Sequence, residues 1–170
     1  MHHEAGGVKQ ASGNSGLPME VTLPSYAGLQ PAEDTMALSI QDALIYLMVV
    51  TASSDDGISE RELGVIGNLV ARSPVFEGFD AARLPTVANA AVDETNSNGL
   101  DGVLDHATAA LPKRLHDTAY ALAVEVAIVD VRLPQEELRL LEMVRDRLEV
   151  DRLVTAAIEA SARARMRRVQ

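Results

Sequence analysis

The chain has 170 residues, of which 47% are apolar and only 3% aromatic, with no cysteine and a formal net charge of −10. This length suits one domain with a substantial core, and a core rich in Ala, Leu, Val and Ile predicts an all-α fold of packed helices. The lack of cysteine excludes disulfides and thiolate metal sites. An acidic body repels phosphate backbones, so we expect no nucleic-acid partner.

The N-terminal fifth of the chain differs from the rest in composition. Residues 1–35 are rich in Gly, Ser and Pro and have no apolar period, which predicts a flexible arm ahead of a helical domain over residues 36–170. No charged segment followed by an apolar one marks a signal peptide. The longest apolar run, Ala43 to Ala52, is shorter than the ~20 residues that span a bilayer. We therefore expect a cytoplasmic protein with no direct membrane insertion.

The first two helices carry the same start signal. Ser39 opens a capping box for a helix that runs to about Ser54, and Ser59 with Glu62 repeats the device for a second helix that ends before Pro74.

A third helix is expected over about residues 83–95, with Pro85 in its first turn. The stretch "NSNG" separates it from a fourth helix. The apolar stripe of that fourth helix consists of Leu100, Val103, Leu104, Ala107 and Leu111.

Three more helices complete the pattern. Pro112 opens the fifth helix, Pro134 opens the sixth, and Asp151 caps a seventh that runs into the arginine-rich end "SARARMRRVQ". The predicted inward stripe of the sixth helix consists of Leu138, Leu141, Val144 and Leu148. About seven helices with short connections predict a compact antiparallel bundle. The final arginines complement the dipole of the last helix, an interpretation that we favour over an RNA-binding arm.

Two stretches of the chain share a pattern. "DDGISEREL" begins at Asp55 and "DVRLPQEEL" begins at Asp130, each between two helices. Residues of the two stretches match when they are separated by the same number of positions as Asp55 and Asp130, and we call this separation the repeat offset. The matched pairs are Ala52 with Ala127, Asp55 with Asp130, Ile58 with Leu133, Glu62 with Glu137, Leu63 with Leu138, Ile66 with Leu141 and Leu69 with Val144. The repetition predicts a bundle built from two pseudo-repeated helix–turn–helix halves.

A long apolar helix, an Asp-x-x-[Ile/Leu]-x-x-x-Glu turn and a second copy near the C-terminus resemble the tellurite-resistance TerB-like family. The resemblance covers about residues 39–165. It implies an all-helical bundle of two related halves, an acidic cluster that holds a metal, a role in tellurite or general stress response, and partners in membrane-associated assemblies. The family usually has Gly directly after the Asp, where this chain has Asp56 and Val131.

On the motif positions the candidate metal ligands are Asp55, Glu62, Asp130 and Glu137. Asp55 and Asp130 follow apolar helices, where the helix dipole disfavours negative charge, so they invite another purpose. Carboxylates beside helix-end carbonyls suit Ca²⁺ or Mg²⁺ better than Zn²⁺. The alternative is that Glu62 and Glu137 only stabilise helix N-termini and that Asp55 is an ordinary turn residue.

Other candidate sites are weaker. "ETNSNGLDGVLD", residues 94–105, approximates a calcium loop but lacks the usual first Asp and last Glu, so we interpret it as a polar linker. His106 and His116 have no partner at metal or relay spacing and are interpreted as surface or packed residues. No phosphate loop or nucleophile elbow is visible.

The sequence thus predicts a non-catalytic stress-response module that binds a divalent cation and a protein partner. The alternatives are a pure interaction scaffold without metal and a metal-dependent hydrolase that uses the four acids.

Overall fold

The computed structural model describes residues 38–52, 58–128, 135–167 and 169, with only the backbone described for residues 135–137. Over these ranges the chain forms six α-helices and no strand, which confirms the all-α prediction. The helices are α1 (Ile40–Ala52), α2 (Glu60–Arg72), α3 (Leu84–Ala109), α4 (His116–Ala127), α5 (Gln135–Leu148) and α6 (Arg152–Arg165). Three 3₁₀ turns lie at Pro74–Phe76, Ala81–Arg83 and Lys113–Leu115. The predicted arm over residues 1–35 lies outside the described residues.

The predicted N-cap residues are confirmed, although the capping box at Ser39 is incomplete because the Asp42 carboxylate accepts from Arg83 at 2.9 Å and not from the Ser39 amide. The Ser59 hydroxyl accepts a hydrogen bond from the Glu62 amide, and the Glu62 carboxylate accepts one from the Ser59 amide at 2.7 Å. Ser39 accepts from the amide of Asp42 at 3.1 Å, and Asp151 caps α6. These side chains satisfy amides that have no partner within the helix, which is why the helices begin where the sequence predicts.

The longest helix, α3, reverses direction at Gly99. This residue has φ 73° and ψ 171°, outside helical geometry and in a region that favours glycine. Glu94 and His106 lie on opposite sides of it and are joined by a hydrogen bond of 2.8 Å. Twelve residues of straight helix would separate them by about 18 Å, so the arm over residues 84–98 folds back against the arm over residues 100–109.

This reversal bears on two predictions. The described residues hold six helices rather than about seven, but the expected break between the third and fourth helices is present, since Gly99 within "NSNG" separates the two arms of α3. Residues 94–105 are neither a polar linker nor a calcium loop, since both sides of Gly99 are helical. The four polar residues before the glycine are helical, with the hydroxyls of Thr95 and Ser97 donating to carbonyls one turn back.

The core is centred on α1 and α4, which pack against each other. α1 buries nine consecutive residues, and α4 buries seven of its twelve, so both are apolar nearly all round, as interior helices must be. α2 and α5 each pack against both central helices, while α3 covers α1 and α6 covers α4. Of the described helices, none is long and apolar enough to cross a membrane.

The inward stripes are predicted correctly with one exception. In the fourth predicted helix Val103, Leu104, Ala107 and Leu111 are buried, and Leu100 is partly buried against the core. In α5 the last three stripe residues are buried, but Leu138 is 47% exposed, so its placement in the core is wrong. Leu138 lies near the start of α5 and borders an open cleft beside α6, where no described element covers it.

Candidate functional site

Three of the four predicted metal ligands lie beyond what the structure describes. Asp55 and Asp130 fall in the gaps, and the Glu137 side chain is not described although its backbone belongs to α5. Glu62 is described, and its Oε2 accepts from both the amide and the hydroxyl of Ser59 at 2.7 Å. This is the geometry of the capping alternative. Elsewhere in the described ranges, no group of three or more metal-binding side chains comes together, and the four-acid site stays a prediction.

Two clefts border α6, one on each side. The first, which we call the α2–α6 cleft, has a volume of about 540 Å³. It is lined by Val65, Asn68, Leu69, Arg72 and Ser73 of α2 and its C-cap, by Glu125 and Ile128 at the end of α4, and by Ala162, Arg165 and Met166 of α6 and its C-cap. Leu69 and Ala162 are buried and Met166 is 41% exposed, so an apolar floor meets an exposed thioether at the rim.

The charges of the α2–α6 cleft are only partly matched. Arg165 donates to the Glu125 carboxylate at 2.6 Å, which neutralises that pair. Arg72 donates through Nε to the backbone carbonyl of Asn68 at 3.1 Å, and within the described structure no carboxylate pairs with it. The cleft therefore offers a guanidinium with donors available to a ligand, in a chain whose net charge is −10.

The second, the α5–α6 cleft, is smaller, at about 230 Å³, and carries a closed hydrogen-bond set. The Tyr120 hydroxyl donates to Glu159 at 2.8 Å, and Arg163 donates to the same carboxylate at 3.3 Å. Burial, and then the hydrogen bond to Glu159, raise the pKa of Tyr120 well above its usual value. A neutral tyrosine whose hydroxyl is already committed to a carboxylate holds α6 on α4 and is unavailable as a base.

Both histidines have partners that spacing along the sequence did not reveal. His106 bonds to Glu94 across the α3 reversal and meets the Tyr46 ring edge-on at 6.5 Å. His116 donates from Nδ1 to the Leu148 carbonyl at 2.6 Å, and its Nε2 lies 3.3 Å from the Leu111 carbonyl. Both histidines are packed, in agreement with the prediction that they are surface or packed residues. Gly99 was the signal for the first pair, because a reversal there brings residues 94 and 106 together.

The α2–α6 cleft also escaped the sequence analysis. Its walls come from three helices that are distant along the chain, and a pattern within one helix cannot show how far apart two helices stand. The exposed methionine and the arginines at the end of α6 were the only local signals, and the arginines also fit the dipole interpretation. Neither cleft includes His106 or Glu94.

The comparisons with known proteins add no relative, since no protein-family model, curated protein or solved structure matches the chain, and the TerB-like resemblance rests on the repeated motif alone.

Proposed function

We propose that this chain is a non-catalytic helical module that binds a protein partner in the α2–α6 cleft. The observation that carries the proposal is the cleft itself: an apolar floor of Leu69 and Ala162 open to solvent beside Arg72, which pairs with no described carboxylate. An apolar floor with a charged rim is the usual anatomy of a protein-binding surface.

The proposal includes an internal duplication, in which α1–α2 and α4–α5 are two copies of one unit. The repeat offset maps the bounds of α1 onto those of α4, and of α2 onto α5, to within one residue. Each second helix packs against both central helices. Gln41 at the start of α1 donates to the carbonyls of Val75 and Glu77 just beyond α2, and its counterpart His116 donates to Leu148 at the end of α5. One side chain thus ties the same two helix ends in each copy.

The proposed duplication suggests why the α2–α6 cleft is open. Beside Arg147, in the last turn of α5, the second arm of α3 supplies Asp101 and Asp105 as partners. Arg72, the counterpart of Arg147 at the repeat offset, is in the last turn of α2 and borders the cleft instead. The second arm of α3 therefore covers the place beside Arg147, and the equivalent place beside Arg72 stays open for a partner.

The hydrogen bonds of the described side chains favour a binding role over catalysis. Tyr120 and Glu159 bond to each other, His106 bonds to Glu94, and Glu62 caps α2. Each of these groups has a structural task. In the described lining of the α2–α6 cleft, Glu125 is paired with Arg165, and no histidine is present to activate the Ser73 hydroxyl. A connection to tellurite or general stress response is proposed only on the resemblance of the repeated motif.

The test identifies a partner and then blocks the cleft. A photo-crosslinking amino acid at Asn68, which is exposed on the cleft wall, would capture the partner for identification. With the purified partner, Asn68→Trp should fill the cleft and weaken binding at least ~tenfold by calorimetry, because the partner would have to displace the indole.

The matched control is Ala156→Trp, which places the same side chain on an exposed position of α6 outside both clefts. Thermal melts of both variants check that the fold is kept. Equal affinity of the wild-type protein and the Asn68→Trp variant would overturn the proposed function.

A further inference from the structure

We infer that the segment bound in the α2–α6 cleft is an amphipathic helix of the partner that carries two acidic residues four positions apart. This inference rests on the proposed function and names the chemistry of the partner. It is drawn from how the chain itself covers Arg147.

The contact at Arg147 shows what such a helix provides. Arg147 Nε donates to Asp105 Oδ1 at 2.7 Å, and its Nη2 donates to Asp101 Oδ1. Asp101 and Asp105 lie on one face of the second arm of α3 because residues four apart on a helix are neighbours. One guanidinium therefore holds two carboxylates on successive turns, a geometry that uses the planar fork of arginine.

Arg72 occupies the matched position, and it can donate to two carboxylates in the same way once its Nε exchanges the Asn68 carbonyl for one of them. It follows Leu69 by three residues on α2, as Arg147 follows Val144 on α5, and both Leu69 and Val144 are buried. The two copies differ at the residue directly before Leu69 and Val144. There α5 has the apolar Met143, partly buried against the core, and α2 has the exposed Asn68. A side chain that tolerates water suits a surface that is covered only when a partner is bound.

The other features of the cleft agree with a helical, acidic occupant. A groove between helices accepts the apolar stripe of another helix, and the rim Met166 can adjust to the shape of that stripe. Arg165 already neutralises Glu125, so Arg72 remains the unmatched charge and selects for carboxylates. One unmatched guanidinium in the described lining of this cleft, in a chain of charge −10, does not suit the many phosphates of a nucleic acid.

The probe is a helix-stabilised synthetic peptide with the sequence of residues 100–111, fluorescently labelled and titrated with the full chain. Gly102→Ala in the peptide favours the helix, since the Asn98 contact that would crowd a side chain there is absent from the peptide. We expect anisotropy to show binding, and a peptide with Asn at the positions of Asp101 and Asp105 to bind ~tenfold more weakly.

A charge exchange sharpens the test. Arg72→Glu should weaken binding of the acidic peptide ~tenfold or more, and a peptide with Lys at both acidic positions should recover it. Arg139→Glu makes the same charge change on an exposed position of α5 outside the cleft and should leave binding as in the wild type. Binding that is lost in Arg147→Gln but kept in Arg72→Gln would mean that the peptide exchanges with the second arm of α3, and would overturn the inference.

The two proposals fail separately. If Asn68→Trp weakens binding of the purified partner while the acidic and neutral peptides bind alike, the cleft binds proteins but not acidic helices, and only this inference is lost. If Asn68→Trp leaves partner binding unchanged, the proposed function itself is wrong.

Discussion

The helix pairs α1–α2 and α4–α5 agree in length to within one residue per helix and share most of their buried positions at the repeat offset, yet they are covered in different ways. α1 lies under α3, whose two arms bury seven residues. α4 lies under α6, which buries only Thr155 and Ala162 and is tied down by Tyr120 with Glu159 and by Glu125 with Arg165. In the proposed duplication the two helix pairs are the repeated unit, and the comparison indicates that the covering helix determines which surface stays open to solvent.

The largest expected effect tests whether the framework is equivalent in both pairs. Leu47 and Leu122 are matched by the repeat offset, identical in type and buried in the two central helices. Leu47→Ala and Leu122→Ala should each lower the free energy of unfolding by ~3 kcal/mol, through lost burial and the cavity left behind. Urea unfolding of both variants measures this.

Val49 and Val124 provide a second matched pair, also identical and buried. Truncating either to Ala removes fewer carbon atoms than truncating leucine and should cost less than the leucine changes. A loss of about 3 kcal/mol at Leu47 with almost none at Leu122 would show that the two central helices carry unequal shares of the core.

The predicted cation site would join equivalent ends of the two pairs. If Asp55, Glu62, Asp130 and Glu137 converge, their repulsion costs several kcal/mol unless they are protonated or bridged by a cation. Ca²⁺ or Mg²⁺ at about 100 times its Kd should then stabilise the fold by ~2.7 kcal/mol and raise the melting temperature accordingly. Thermal melts with millimolar Ca²⁺, Mg²⁺, Mn²⁺ and Zn²⁺ measure the shift.

Substitutions separate the cation site from the capping alternative. Replacing Asp55 and Asp130 with Asn should abolish the shift and leave the metal-free protein at least as stable, because repulsion is relieved. Ser59→Ala should cost ~1 kcal/mol with or without cations, since it removes a cap that the structure contains. No shift with any of the four cations would leave these acids as turn and capping residues.

Features that depend on a single helix and its neighbouring turns were predicted correctly from the sequence. Ser59 with Glu62, Ser39 and Asp151 begin their helices as expected, and the stripes of Ile66 and Leu141 face inward. The sequence predicted the break at "NSNG", but not that Glu94 meets His106 across that break or that Leu138 borders a cleft, because both depend on how helices pack against each other. Arg72 and Arg147 look alike in sequence, and only the packing of α3 distinguishes them.

The ties between helix ends give the next effect. His116→Ala leaves the partly buried carbonyl of Leu148 without its donor and should cost ~1–2 kcal/mol, and Gln41→Ala should cost ~1 kcal/mol because one of its two contacts is exposed. If the two positions are equivalent, His116→Gln should recover at least half of the loss, measured by urea unfolding. A glutamine variant as unstable as the alanine variant would count against that equivalence.

Tyr120 introduces a pH dependence that its counterpart Ile45 cannot have. Burial raises its pKa, so the neutral form is favoured in the fold; the resulting stability is complete below the unfolded value of 10.0 and is lost as pH rises above it. Tyr120→Phe should cost ~1 kcal/mol near neutral pH through the lost hydrogen bond to Glu159. It should also flatten the alkaline fall in stability, whereas parallel falls in both proteins would assign that fall to other groups.

The smallest effect concerns Gly64, where α2 has a poor helix former and the matched position of α5 has a good one. Gly64 lies within α2, is exposed, and has no atom within 4 Å of the place where a Cβ would stand. Its counterpart at the repeat offset is Arg139, a good helix former. Gly64→Ala should therefore stabilise the protein by ~0.5–1 kcal/mol, mainly by restricting the unfolded chain.

Gly102→Ala is the control, because its Cβ would meet the Cβ of Asn98 at 2.9 Å and should offset the same helical gain. Equal stabilisation by both changes would mean that the contact at the α3 reversal relaxes without cost. Destabilisation by Gly64→Ala would instead show that the outer face of α2 is not open and that the two copies differ there for a structural reason.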